Sequence, residues 1–211
     1  MKVKILCFCA LFLVFLSGAS TTPIYGADDP VLTVKVDPRV EMMSIVFRLA
    51  GNPEYSQGKV VSYVADVEKH FNDFRDHEVV QMAARLRRTR GVSYDAVMGY
   101  AVHLQDDLKP LRPFDPLPES LDKRWRSRDA IAFNEKLIDF AAETSYLDFF
   151  TSHQALYDLA VSRMRTVVEE EGDIGWFDRF FGARPGARFT LALGMLNGGC
   201  CYGAGFKQDE H

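Results

Sequence analysis

Any chemistry in this chain has to come from a small set of side chains: five histidines, two adjacent cysteines near the end, and two basic stretches. His77 opens HEVVQ, which begins like the zinc helix HExxH, where two histidines one turn apart bind the metal. Gln81 stands where the second histidine must be and is a poor zinc ligand, so no zinc helix is read there. His77 is also expected in a solvated first turn behind an Asp76 cap. His103 has Asp106 and Asp107 three and four residues later but falls off the apolar stripe of its helix. His153 lies on an apolar face with Tyr157 one turn on. A hydrogen-bonded core histidine is the favoured reading there, ahead of a ligand or a base.

Cys200 and Cys201 are neighbours, so on a strand their side chains point to opposite faces. A vicinal disulfide strains the backbone and a redox pair needs spacing, which favours two small, semi-buried thiols over a thiol module. Gly198 and Gly203 reproduce the outer spacing of a phosphate loop, but Ala204 occupies the lysine position and no Ser or Thr follows. Arg85, Arg87, Arg88 and Arg90 crowd a helix C-terminus, where cations complement the dipole. Lys123, Arg124, Arg126 and Arg128 flank Trp125. In an acidic chain both sets read as solvated, salt-bridged faces. No Gly-x-Ser-x-Gly elbow occurs. No catalytic, cofactor-binding or metal-binding residue is assigned. The candidates for lining a cleft or packing beside one are His153, Tyr157, Asn197, Gly198, Gly199, Tyr202 and Gly203.

The elements that must position these residues are mostly helices. VLTVKV (31–36) alternates as a strand and runs into a helix with Asp37 as N-cap, Pro38 at its first position and Gly51 to end it. Val60, Val64, Val67, Phe71 and Phe74 form the buried stripe of a second helix, and a third runs from Asp76 to RLRRTRG. A fourth follows Ser93 as N-cap, with Val92 stapled against Val97. KPLRPFDPLPE holds four prolines and is expected to cross the surface in order, packed through Leu111, Phe114 and Leu117. Two helices then break near Thr144-Ser145, and DIGWFDRFFG reads as a short aromatic helix. RFTLAL is a strand, Asn197-Gly198 a hairpin turn and CCYGAGF the returning strand.

The 211 residues are 47% hydrophobic and 26% charged, the proportions of one globular domain. Residues 1–19 carry Lys2 and Lys4, an apolar run and Ser17-Gly18-Ala19, the pattern of a cleaved export signal too short to span a bilayer. The remainder, 20–211, is expected as a single exported domain, periplasmic or extracellular, without a membrane anchor. Cleavage takes the formal charge from -4 to -6 because two lysines and no acid leave. That balance argues against nucleic acid or anionic lipid as the main partner, and the small-residue face and backbone edge of the expected hairpin suit a peptide or protein ligand.

The block VDPRVEMMSIVFRLAGNPEY (36–55) resembles the opening of an exported bacterial family catalogued as domain of unknown function 4932. The similarity continues through FRDHEVV, GVSYDAVMGYAVHL, FFTSHQALY, WFDRFFG and LNGGCCYG, from about Val31 to Phe206. The resemblance implies members that run on into a half carrying an HExxH-type helix, similar to a zincin metallopeptidase. None of those residues has a counterpart here, so no catalytic residue carries over, and zinc is expected only with a downstream HExxH region. Cys200 and Cys201 depart from the small or polar residues the resemblance implies there. The expected fold is α+β, predominantly α-helical, with a short N-terminal strand and a C-terminal β-hairpin: an incomplete zincin-like domain. The expected role is a non-catalytic N-terminal portion, and a stand-alone envelope binding module is the alternative.

Overall fold

A computed structural model of the chain describes residues 10–15, 32–173, 175–182, 188–197 and 201–206. Eight α-helices and four short strands are found among them. The predominantly helical architecture with a small sheet is the one the sequence implies.

α1 (Pro38–Leu49) is the hub. Asp37 caps it by accepting the Arg39 N–H at 2.9 Å, and Gly51 takes a left-handed φ of 83° just beyond its end. Ten of its residues, Arg39 to Phe47 and Leu49, are buried, so the helix is enclosed all round. Arg39 reaches back to both Asp37 oxygens and Lys35 adds a third contact. Although burial opposes ionisation, these cations hold the Asp37 carboxyl well below the usual carboxylate range.

α2 (Val61–Phe71), α3 (Glu78–Arg90) and α4 (Asp95–Val102) pack around this hub. Two caps differ from the sequence reading. His77, not Asp76, caps α3, its Nδ1 accepting the Val79 N–H at 3.2 Å. α4 begins after Tyr94 rather than Ser93, with Tyr94 at φ 54° and ψ −122°. The Ser93 hydroxyl instead turns back to the Gly91 carbonyl.

Between α4 and α5 (Ser127–Glu143), Phe114 stacks on Tyr100 with ring centroids 5.0 Å apart, and Leu117 rests on the core. Leu111 does not pack; it is 40% exposed. The enclosed indole of Trp125 donates to the Ala96 carbonyl at 2.9 Å. His103 is buried, not off the apolar stripe, and its nitrogens meet the Gly99 carbonyl and the Ser120 hydroxyl at 2.6 and 2.8 Å. The following helical stretch breaks twice. α6 (Tyr146–Ser152) starts after Ser145 in a left-handed conformation, and α7 (Gln154–Glu171) starts after a second break at His153. α8 (Gly175–Phe181) is the expected aromatic helix, with Trp176 and Phe180 exposed.

The sheet has the order β2-β3-β1-β4. β2 (Leu32–Lys35) lies parallel to β3 (Arg188–Leu193), while β1 (Ala10–Phe15) lies antiparallel to β3 and parallel to β4 (Gly203–Ala204). The chain does turn back after β3, but the two arms do not pair as the expected hairpin. β1, from the stretch read as an export signal, lies between them.

Candidate functional site

Glu41 sits mid-way along α1 with no exposure, a costly place for a carboxyl group. Two donors hold it. The Met195 backbone N–H reaches Oε1 at 2.7 Å, and the Tyr63 hydroxyl reaches Oε2 at 2.7 Å. Tyr63 lies on α2 in the row Tyr63, Val67, Phe71, which faces the core at one-turn spacing. Its oxygen in turn accepts the Tyr157 hydroxyl of α7 at 2.9 Å. A line of hydrogen bonds thus runs Tyr157 to Tyr63 to Glu41, crossing three helices and ending at the turn after β3. Burial pushes the Glu41 carboxyl up to about 7, against the pull of the Met195 and Tyr63 hydrogen bonds.

His153 closes one side of this node. Its ring stands edge-on to Tyr63 with centroids 5.1 Å apart. Nδ1 faces the Phe149 carbonyl at 2.9 Å and Nε2 faces Asp66 at 3.3 Å. Asn197 approaches from the other side, its Oδ1 3.4 Å from the Ser44 hydroxyl of α1. The Asn197 side chain occupies the space a Cβ on Gly194 would need, which accounts for glycine at the end of β3. The node can therefore store one proton on a carboxyl group with a hydroxyl relay, and it ties the β3 turn to the hub helix.

A second polar cluster lies on the turn that follows α1. Pro53–Tyr55 form a 3-10 turn, and the buried Glu54 carboxylate pairs with Arg87 of α3. The buried Tyr55 ring lies 6.5 Å from that of Tyr202, which meets the exposed Tyr94 ring edge-on at 5.8 Å. Burial raises the Tyr55 phenol well above its ordinary range, and the neighbouring Tyr202 and Glu54 add to the effect.

The sequence-derived candidates divide between these places. His153, Tyr157 and Asn197 meet around Glu41. Tyr202 belongs to the tyrosine cluster, and Gly203 opens β4 opposite Phe12. Gly198, Gly199 and Cys200 lie outside the described residues. Cys201 is exposed, not the semi-buried thiol the sequence implies. Among the described residues no group of three or more His, Cys, Asp or Glu could hold a metal ion.

Glu41, Tyr63 and Glu54 were not among those candidates. The signal for Glu41 is a lone acid inside VEMMSIVF, whose apolar residues leave no polar face to carry it. Tyr63 announces itself only through its one-turn spacing to Val67 and Phe71.

No curated protein and no solved structure matches the chain. One family does, described as a domain of unknown function, and the match covers residues 32–211. It starts at the first residue of β2 and leaves β1 outside. Both polar clusters fall within the matched span, and the chain belongs to the DUF4932 family.

Proposed function

We propose that this chain is the helix-rich N-terminal portion of an exported, zinc-peptidase-like protein, and that this portion binds an extended peptide without cleaving it. The observation that carries the reading is the occupant of the position beside β3. Ala10–Phe15, a segment outside the family domain and with the composition of an export signal, pairs residue by residue with Arg188–Leu193. Removal of that segment on export leaves an unpaired strand edge between β3 and β4. Such an edge takes up an extended peptide through main-chain hydrogen bonds. The Glu41–Met195 bond holds the end of β3 against α1, so the edge is presented on a rigid base.

The exported protein, incubated with zinc and a mixture of unfolded polypeptides, is expected to show no cleavage. Turnover would overturn the non-catalytic part of the proposal. A soluble peptide carrying Ala-Leu-Phe-Leu-Val-Phe is expected to bind, and a version with alternate N-methylated amides is not. Equal behaviour of the two peptides removes the strand-pairing reading.

A stand-alone envelope module is the second reading. The continuous core that joins α1 to α7 and β3 supports it, because such a core does not require further chain to close. The intact mass of the protein from its producing cells separates the two. A mass well above 23.9 kDa supports the longer protein, and a mass at or below it supports the module.

A further inference from the structure

We infer that this protein associates head to tail with a second copy of itself, the acidic end of α7 in one copy docking on a basic surface at one end of the α3–α5 pair in the next. Neither surface uses the strand edge beside β3.

α3 and α5 run antiparallel. Lys136 reaches Glu78 at 3.2 Å and His77 faces Glu143 at 3.7 Å towards one end of the pair. At the other end Arg90 donates to the Arg124 and Lys123 carbonyls at 3.2 and 3.3 Å, and Arg124 reaches back to the Gly91 carbonyl at 3.1 Å. The C-terminus of α3 and the N-terminus of α5 therefore lie together, which brings Arg88, Lys123, Arg126 and Arg128 to one end of the pair. All four are exposed, and among the described residues none has an ion pair or a side-chain hydrogen bond. Asp95 and Asp122, in the same region, are both taken by Arg124, at 2.8 and 2.7 Å. Asp129 is the acid in the first turn of α5, so this end keeps an excess of positive charge. Arg87 and Arg124 make the ion pairs that the sequence implies for these two basic stretches, and the other four cations do not.

The acidic counterpart is the last turn of α7. Glu169, Glu170 and Glu171 follow one another there, all exposed, and among the described residues none has an ion pair or a side-chain hydrogen bond. No basic residue stands in that turn. Carboxylates at a helix C-terminus and cations at a helix N-terminus both oppose the helix dipole, so the end of α7 and the start of α5 each carry charge of the unfavourable sign. Within one copy, among the described residues, no ion pair joins the two. Across two copies each relieves the other, which makes a second copy the partner that supplies the acid the cations lack. The two surfaces differ, so each copy uses both, and the contact propagates from copy to copy instead of repeating one patch about a two-fold axis. Such a contact is held by exposed charge and is screened by salt.

Sedimentation velocity over a concentration series at low salt tests this. The wild type is expected to sediment faster as concentration rises, and to lose that dependence in about 0.5 M salt. One variant combines Lys123→Glu, Arg126→Glu and Arg128→Glu, and the other combines Glu169→Lys, Glu170→Lys and Glu171→Lys. The first then carries two acidic surfaces and the second two basic ones. Each alone is expected to associate at least about tenfold more weakly than the wild type. An equimolar mixture of the two is expected to associate again, because every surface of one variant opposes a surface of the other. Both variants should melt no lower than the wild type, since each places the favourable charge at its helix end. A wild type that stays monomeric throughout the series overturns the proposal. Variants that still associate on their own, or a mixture that does not, place any contact elsewhere and overturn it as well. A monomeric wild type that binds polyglutamate, with the binding lost in the first variant, gives the basic surface to a foreign acidic partner and overturns the second copy as its occupant.

Discussion

Glu41 of the central helix accepts the backbone N–H of Met195 at 2.7 Å, across 154 positions of sequence. This one bond sets the height of the β3 turn above α1 with a group that titrates. Burial raises the folded carboxyl from 4.5 to about 7. The stabilisation of neutral Glu41 is therefore fully present below about 4.5 and is lost as pH rises through about 7. Asp37, held low by Arg39 and Lys35 against its burial, acts in the opposite sense: its stabilisation is present above the usual carboxylate range and is lost only in strong acid. The wild type is expected to lose on the order of 3 kcal/mol of unfolding free energy between pH 5 and 8.5. Glu41→Gln, which still accepts from Met195, should show a much flatter profile in urea titrations. Identical slopes for the two proteins would remove Glu41 as the cause.

The hydroxyl relay makes a second prediction. The Tyr63 hydroxyl donates to Glu41 and its oxygen accepts from Tyr157, so Tyr63→Phe leaves a buried carboxyl oxygen and a buried hydroxyl without partners. Tyr157→Phe deletes one donor and orphans only one acceptor site. We expect a loss of about 2–4 kcal/mol for the first and about 1 kcal/mol for the second. Denaturant unfolding of both variants and the double variant reads the coupling, and a reversed order of the two losses would contradict the relay.

The local part of this architecture was legible and the long-range part was not. Asp37, Pro38 and Gly51 bounded α1 correctly because caps are local chemistry, completed within a few residues. His77 displaced Asp76 as a cap because its ring also packs on Phe140 at 5.2 Å, a contact that no local pattern carries. The Asn197-Gly198 turn runs out of the described residues, and the strand that pairs with β3 in place of the returning arm could not be read from it. Strand neighbours separated by more than a hundred residues leave no periodic trace. His153 and Tyr157 were picked out by one-turn spacing on an apolar face. Glu41 gives no spacing signal, because its partners Tyr63 and Met195 lie 22 and 154 positions away.

Two glycines with opposite surroundings give a third prediction. A Cβ at Gly58 meets the Met195 carbonyl oxygen at 2.8 Å, backbone against side chain with nothing flexible to yield. Gly99, inside α4, has nothing within 4 Å of that position. Gly58→Ala should lower stability by about 1–3 kcal/mol through a forced shift of the β3 turn. Gly99→Ala should raise it by about 0.5–1 kcal/mol through helix propensity. Thermal melts of the two variants should move in opposite directions, and movement in the same direction would contradict the packing at Gly58.

The last prediction concerns the β3 backbone. In the uncleaved chain β3 is paired on both edges, by β2 on one side and by β1 on the other. Amides directed at β2 stay in the family domain whatever happens to β1, whereas those directed at β1 depend on a segment outside it. Hydrogen exchange across Arg188–Leu193 is therefore expected to show every amide protected before removal of residues 1–19. Afterwards the set facing the vacated edge should lose protection while the set facing β2 keeps it. Addition of the Ala-Leu-Phe-Leu-Val-Phe peptide should restore the lost set. Uniform protection before and after removal would mean that β1 does not pair with β3, and strand uptake at this edge would fall with it.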